Sequence, residues 1–143
     1  MIKYILLTTV IFLFFGCSGE KEFPVDKNGI KPDVFLKNTY ALILEKKYDE
    51  AKNNYDEKYI NSFSKKDGST FKGSVREKVF GWDPSPSKLK VTRLGNVYNV
   101  KTGLWFLSIH SEEESGKRNR IGVACHVKLL NDEWKIVSWM DYR

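Results

Sequence analysis

Cysteine and histidine are scarce in this chain: two cysteines, Cys17 and Cys125, and two histidines, His110 and His126, in 143 residues. Two cysteines cannot build a disulfide framework. Two histidines in separate predicted strands leave no metal-ligand spacing, so no metal or cofactor is expected. A Gly-rich phosphate loop and a G-x-S-x-G elbow are also missing, which removes the common routes to nucleotide binding and serine hydrolysis. The longest apolar run, Tyr4 to Phe15, is broken only by Thr8 and Thr9. A membrane-spanning helix needs about 20 apolar residues, so this run is too short. No acid precedes Glu20.

What is present begins at that run. One basic residue, Lys3, precedes it, and Gly16-Cys17 ends it, after which "SGEKEF" turns polar at once. A short apolar segment with a positive start and a small residue at its end is the pattern of an export signal, here residues 1–16. "LFFGC" resembles a bacterial lipobox, with Phe14 where leucine is usual and Leu13 one position earlier. The resemblance implies cleavage before Cys17, lipid on its thiol, and a partner in the bilayer of the bacterial cell envelope, inner or outer membrane undetermined. An ordinary export signal cut elsewhere is the alternative.

Charge narrows the partners. The chain carries 24 Lys+Arg and 18 Asp+Glu; removing Lys3 with the signal leaves 23 against 18, a net +5. A basic surface suits anionic headgroups or wall polymers, and scattered charge of this size equally serves solubility alone. The lysines are scattered and the chain is read as exported, so no nucleic acid is expected. With Cys17 lipidated, Cys125 stands alone in "RIGVACHVKL" and is expected as a buried, inert thiol. Residues 17–32, rich in Gly, Pro and charge, read as a flexible tether. The domain is expected over 33–143.

Helical periodicity opens that domain. Pro32-Asp33 makes a helix entry, and Leu36, Tyr40, Ile43 and Leu44 share one face. Asp49 is placed to cap a second helix, where Ala51, Tyr55, Tyr59 and Phe63 recur every fourth residue. That aromatic stripe reads as core packing. Ser74 and Glu77 have the spacing of a capping box for a short third helix. The prolines of "WDPSPS" stop it.

From Lys88 the pattern is β. "KLKVTRLGNVYNV" holds a Gly that predicts a bulge. The acids Glu112–Glu114, then Ser115-Gly116, then a basic run predict a hairpin that sets Glu114 against Lys117. A second turn at Asn131-Asp132 sets Leu129 against Trp134. These registers gather Leu104, Phe106, Val123, Cys125, Val127, Leu129, Trp134, Ile136 and Met140 on a helix-facing side, with Ser108, His110 and Tyr142 towards one end. Trp105, Leu107, Ile109, Ala124, His126, Val137 and Trp139 fall on the other, with Gly122 and Asp141 beside them. A slip of one residue exchanges the faces. The apolar second face predicts a binding or homodimer interface at Trp105, His126 and Trp139, or else a cover from the first strand and the Trp82–Ser87 loop.

Helix, helix, short helix and an antiparallel sheet closing in "NDEWKIVSW" resemble the nuclear-transport-factor-two-like superfamily. The resemblance covers about residues 33–143. It implies an α+β fold, cystatin-like, with N-terminal helices packed on a curved antiparallel sheet to form a cone. Enzymes of that superfamily, such as ketosteroid isomerases and polyketide cyclases, use a pocket Asp or His as general base. The candidates here are His110, His126 and Asp141. None sits in a diagnostic motif, and His110 is expected to be solvent-exposed near the hairpin tip, so no catalytic residue is assigned. Three function classes stay open: a non-enzymatic binding or accessory lipoprotein, a small-molecule carrier or isomerase-like enzyme, and an inhibitor or immunity protein.

Overall fold

The computed structural model describes residues 23–67, 70–99, 101–111 and 122–141. The export segment 1–16, Cys17, the Ser115-Gly116 turn and Tyr142 lie outside them. The described residues form an α+β fold of four helices, a 3₁₀ turn and a four-stranded antiparallel open sheet.

Helix α1 spans Pro32–Leu44, with Pro32 at a first position where its missing N–H costs nothing. It buries Phe35, Leu36, Thr39, Tyr40 and Ile43. Each such apolar side chain contributes about 1.5–3 kcal/mol. The helix ends in a Schellman arrangement: Lys47 N donates to Leu42 O at 2.8 Å and Lys46 N to Ile43 O at 3.0 Å. Lys46 takes the left-handed conformation there, at φ 64°.

The expected second helix is two pieces, α2 (Tyr48–Lys52) and α3 (Glu57–Asp67). The sheet causes the break. Ile136 N donates to Asn54 O and Asp56 N donates to Ile136 O, both at 2.9 Å, so the chain opens to bridge a strand edge. Helix α4 runs from Phe71 to Lys78, and its N-cap is Thr70, whose Oγ1 accepts from Gly73 N at 3.3 Å. The capping box expected at Ser74 and Glu77 is therefore inside the helix. Ser74 N is already bonded to Thr70 O.

Strands β1 (Leu89–Asn99), β2 (Leu104–Ser111), β3 (Gly122–Leu130) and β4 (Glu133–Asp141) lie in sequence order. β1 breaks register between Arg93 and Tyr98, around the Gly95 that predicted a bulge. The β3–β4 turn is the expected one. Asn131 (φ 51°) and Asp132 (φ 60°) form it, and Leu129 opposes Trp134. Two positive φ values fit the type I′ turn, whose twist matches the strands it joins.

The expected β2–β3 register is corrected by one residue. Trp105 opposes Val127, Leu107 opposes Cys125 and Ile109 opposes Val123. That slip turns Trp105, Leu107 and Ile109 onto the side of Cys125, while Leu104, Phe106, Ser108 and His110 face the other way. A second irregularity, between His126 and Val127, sets Ser138 against His126 and leaves Val137 as the extra residue. It brings Trp139 opposite Cys125, again on the helix side. The two tryptophans share a face as expected, but it is the helix-covered one. Trp105 is 2% exposed and belongs to the core.

The tether is also shorter than expected, because the chain joins the domain by Phe23. Phe23 is 6% exposed and meets the Trp105 ring edge-on at 4.7 Å. Lys27 N donates to Asp132 O at 3.0 Å, and Trp134 Nε1 donates to Ile30 O at 2.7 Å. An aromatic anchor on β2 and hydrogen bonds at the β3–β4 turn hold residues 23–31 against the strands. Composition alone reads that segment as linker.

Candidate functional site

The space between helices and sheet is where a pocket would lie. Its centre holds Tyr40, Tyr55 and Cys125, each 3% exposed or less. The Tyr40 hydroxyl lies 3.6 Å from Cys125 Sγ, and Trp82 stacks on the Tyr40 ring at 5.8 Å. Burial pushes the Cys125 thiol up to about 12 and both phenols well above their usual value. These groups are neutral at physiological pH and are not poised as bases or nucleophiles. Cys125 is the buried free thiol expected from the sequence.

Below this centre an aromatic group closes the layer. Trp139 stacks on Phe63 at 4.6 Å and meets Tyr55 and Tyr59 edge-on. Trp139 N donates to the Tyr59 hydroxyl at 2.7 Å. With the Asn54–Asp56 bridge, this bond occupies the outer edge of β4, an edge that would otherwise invite pairing. Every fourth residue from Ala51 to Phe63 thus packs inward although the helix is interrupted.

The opposite face carries the histidines. His126 Nδ1 lies 2.6 Å from Ser138 Oγ across β3 and β4, and Phe106 stacks on the imidazole at 4.8 Å. Partial burial lowers the His126 pKa. Among the described residues neither member of the pair bonds a carboxylate, so the third group that orients a catalytic base is missing from the pair. The arrangement works as a cross-strand clasp. His110 is 6% exposed, contrary to its expected exposure, and lies on this face opposite Lys90. Asp141 opposes Val123 at the end of β4. The three candidate bases therefore do not converge: Asp141 is in register with the helix-side row, and the histidines occupy two strands of the outer face.

Sequence reasoning missed the clefts beside the β3–β4 turn. One, of about 530 Å³, is lined by Lys52, Asp56, Asn61, Asn131, Glu133 and Lys135. A second, of about 340 Å³, shares Asn53, Glu133 and Lys135 as its wall. Lys135 Nζ donates to Asn53 O at 2.6 Å. Glu133 is held below the usual carboxylate range by its hydrogen bond to Lys27, at 2.5 Å. Glu133 is paired with Lys27 and, at 3.5 Å, with Lys135, which suits polar contact more than proton transfer. Only the alternation in "NDEWK" signals this cleft, and it reads equally as a solvated turn.

Among the described residues no three His, Cys, Asp or Glu side chains converge as metal ligands, and no helix is long and apolar enough to cross a membrane. Comparison with protein-family models, curated proteins and solved structures returned no match.

Proposed function

We propose that the chain is a bacterial envelope lipoprotein, anchored through acylated Cys17, whose domain is a non-enzymatic binding or accessory module. The observation that carries the anchor is the apolar run Tyr4–Phe15 ending at Gly16-Cys17. The packed centre supports the non-enzymatic reading: Tyr40, Tyr55 and Cys125 fill the place where a cone-shaped domain would hold a substrate.

The fold is read further as a nuclear-transport-factor-two-like cone. Helices on one face, an antiparallel sheet in sequence order and breaks in β1 and β4 support this, because bulges bend strands. The contact surface is the outer sheet face around Phe106, His126 and the 45%-exposed Met140. Its partner is an envelope protein or a second copy of the chain. Trp105 and Trp139 support that face from behind.

Fractionation tests the reading. The native chain is expected in the membrane fraction and extractable only by detergent, and Cys17→Ala is expected to leave it. A Cys17→Ala chain that stays membrane-bound contradicts the anchor. Turnover of a small ketone or enone substrate, lost in His126→Ala, contradicts the non-enzymatic reading.

A further inference from the structure

Strand polarity divides the sheet into two ends. The β1–β2 turn and the β3–β4 turn share one end, and Leu89 and Ser111 pair at the other. Residues 23–31 cross the first end, from Phe23 on Trp105 of β2 to Lys27 at Asp132 and Ile30 at Trp134 of β4. Phe23 is therefore held at a fixed place at this end. From Phe23 back to Cys17 is six residues, which span at most about 20–22 Å even when fully extended. The sheet itself is as long: eight residues of β2 rise about 23 Å from Leu104 to Ser111.

The surface at that end has its own character. Among the described residues four large apolar side chains are exposed: Val25, Val34, Phe80 and Met140. Val25 lies within this crossing segment, and Val34 lies just after it in the first turn of α1. Lys27 and Lys31, in the same stretch of chain, and Lys101, in the β1–β2 turn, are exposed at this end. Small apolar side chains beside Lys31 and Lys101, with Lys27 paired to Glu133, suit the headgroup layer of an anionic bilayer.

We propose that the turn end of the sheet, with Pro24–Lys31 and Lys101, rests on the anionic bilayer surface and that the opposite end points away. This rests on the lipid anchor at Cys17 and adds an orientation to it. A long tether would let the domain tumble. A reach no longer than the sheet, starting from a packed phenylalanine, holds one end down.

The test uses the full acylated chain in phosphatidylethanolamine–phosphatidylglycerol vesicles that contain nitroxide-headgroup lipid. With Cys125 buried and Cys17 acylated, a fluorophore goes on Lys101→Cys or on Ser87→Cys, an exposed position just before β1 at the far end. Quenching is expected to be several-fold stronger at 101 than at 87. The order is expected to survive high salt, because the tether, and not charge alone, sets it. Equal or reversed quenching on vesicle-bound, acylated chain overturns the orientation and leaves the anchor standing. A Cys17 that carries no lipid, read by mass on the same sample, overturns both.

Discussion

Phe23→Ala tests whether residues 23–31 belong to the domain. Phe23 is 6% exposed and lies against Trp105, itself 2% exposed. Phenylalanine truncation in a core costs about 3–5 kcal/mol. Phe23 sits near the chain's entry into the fold, where the segment can shift to fill part of the gap, so the low end, about 3 kcal/mol, is expected. For a domain of this size each kcal/mol moves Tm by roughly 3–5 °C, so a fall of about 10 °C is expected. Phe23→Leu keeps most of the apolar volume and is expected to lose less than half as much. Thermal unfolding followed by circular dichroism, on the chain from Ser18 onward, reads all three proteins. A Phe23→Ala melt within about 2 °C of the parent would mean that the segment is a free tether after all.

Four further outcomes follow from the packing. Cys125, with its thiol pushed up to about 12, is expected to react with a thiol reagent at pH 8 on the order of a thousandfold more slowly in the native protein than after denaturation; rapid native labelling contradicts the buried site. Cys125, Tyr40 and Tyr55 all have raised folded pKa values, so the unfolded chain loses those protons first. Their stabilisation is complete below about pH 8 and falls as pH rises, by up to about 1.4 kcal/mol per pH unit for each group ionised only in the unfolded state; chemical denaturation giving constant stability from pH 8 to 11 refutes it. Lys46→Gly relieves a left-handed lysine at the end of α1 and is expected to raise stability by about 1 kcal/mol, read from the urea midpoint. Trp105→Ser is expected to unfold or severely destabilise the domain, at about 3–5 kcal/mol. Trp139→Ser, at a half-buried position, is expected to cost clearly less, and equal costs contradict the placement.

The sequence carried local chemistry well and long-range register poorly. Asn131-Asp132 was legible because both residues tolerate positive φ, and the pairing of Leu129 with Trp134 follows from that turn. The β1 irregularity was legible from Gly95. The β2–β3 register was not. Opposed charges favour a two-residue turn at Ser115-Gly116, yet Trp105 pairs with Val127, one residue away from that alignment. β2 is apolar on both faces, from Leu104 to Ile109, so its pattern could not choose between the two alignments. Val137 produced the second error, since nothing in "KIVSW" announces a bulge. The helix break at Asn53–Tyr55 was hidden for a different reason. It answers the need of Ile136 for backbone partners on an open strand edge, which only the assembled sheet creates. Phe23 was hidden by its neighbours, an aromatic between glutamate and proline in a stretch that composition reads as linker. The candidate site suffered most, because a face defined by register inherits every slip. Once Trp105 and Trp139 turned inward, His126 was left with Phe106 and Ser138 on the outer side.

Intact-mass spectrometry of the protein extracted from the membrane of an expressing bacterium tests the central claim most directly. The account predicts a chain that begins at Cys17 and carries diacylglyceryl mass on that residue, with residues 1–16 gone. A membrane-extracted chain that retains residues 1–16, or begins elsewhere with an unmodified Cys17, contradicts it.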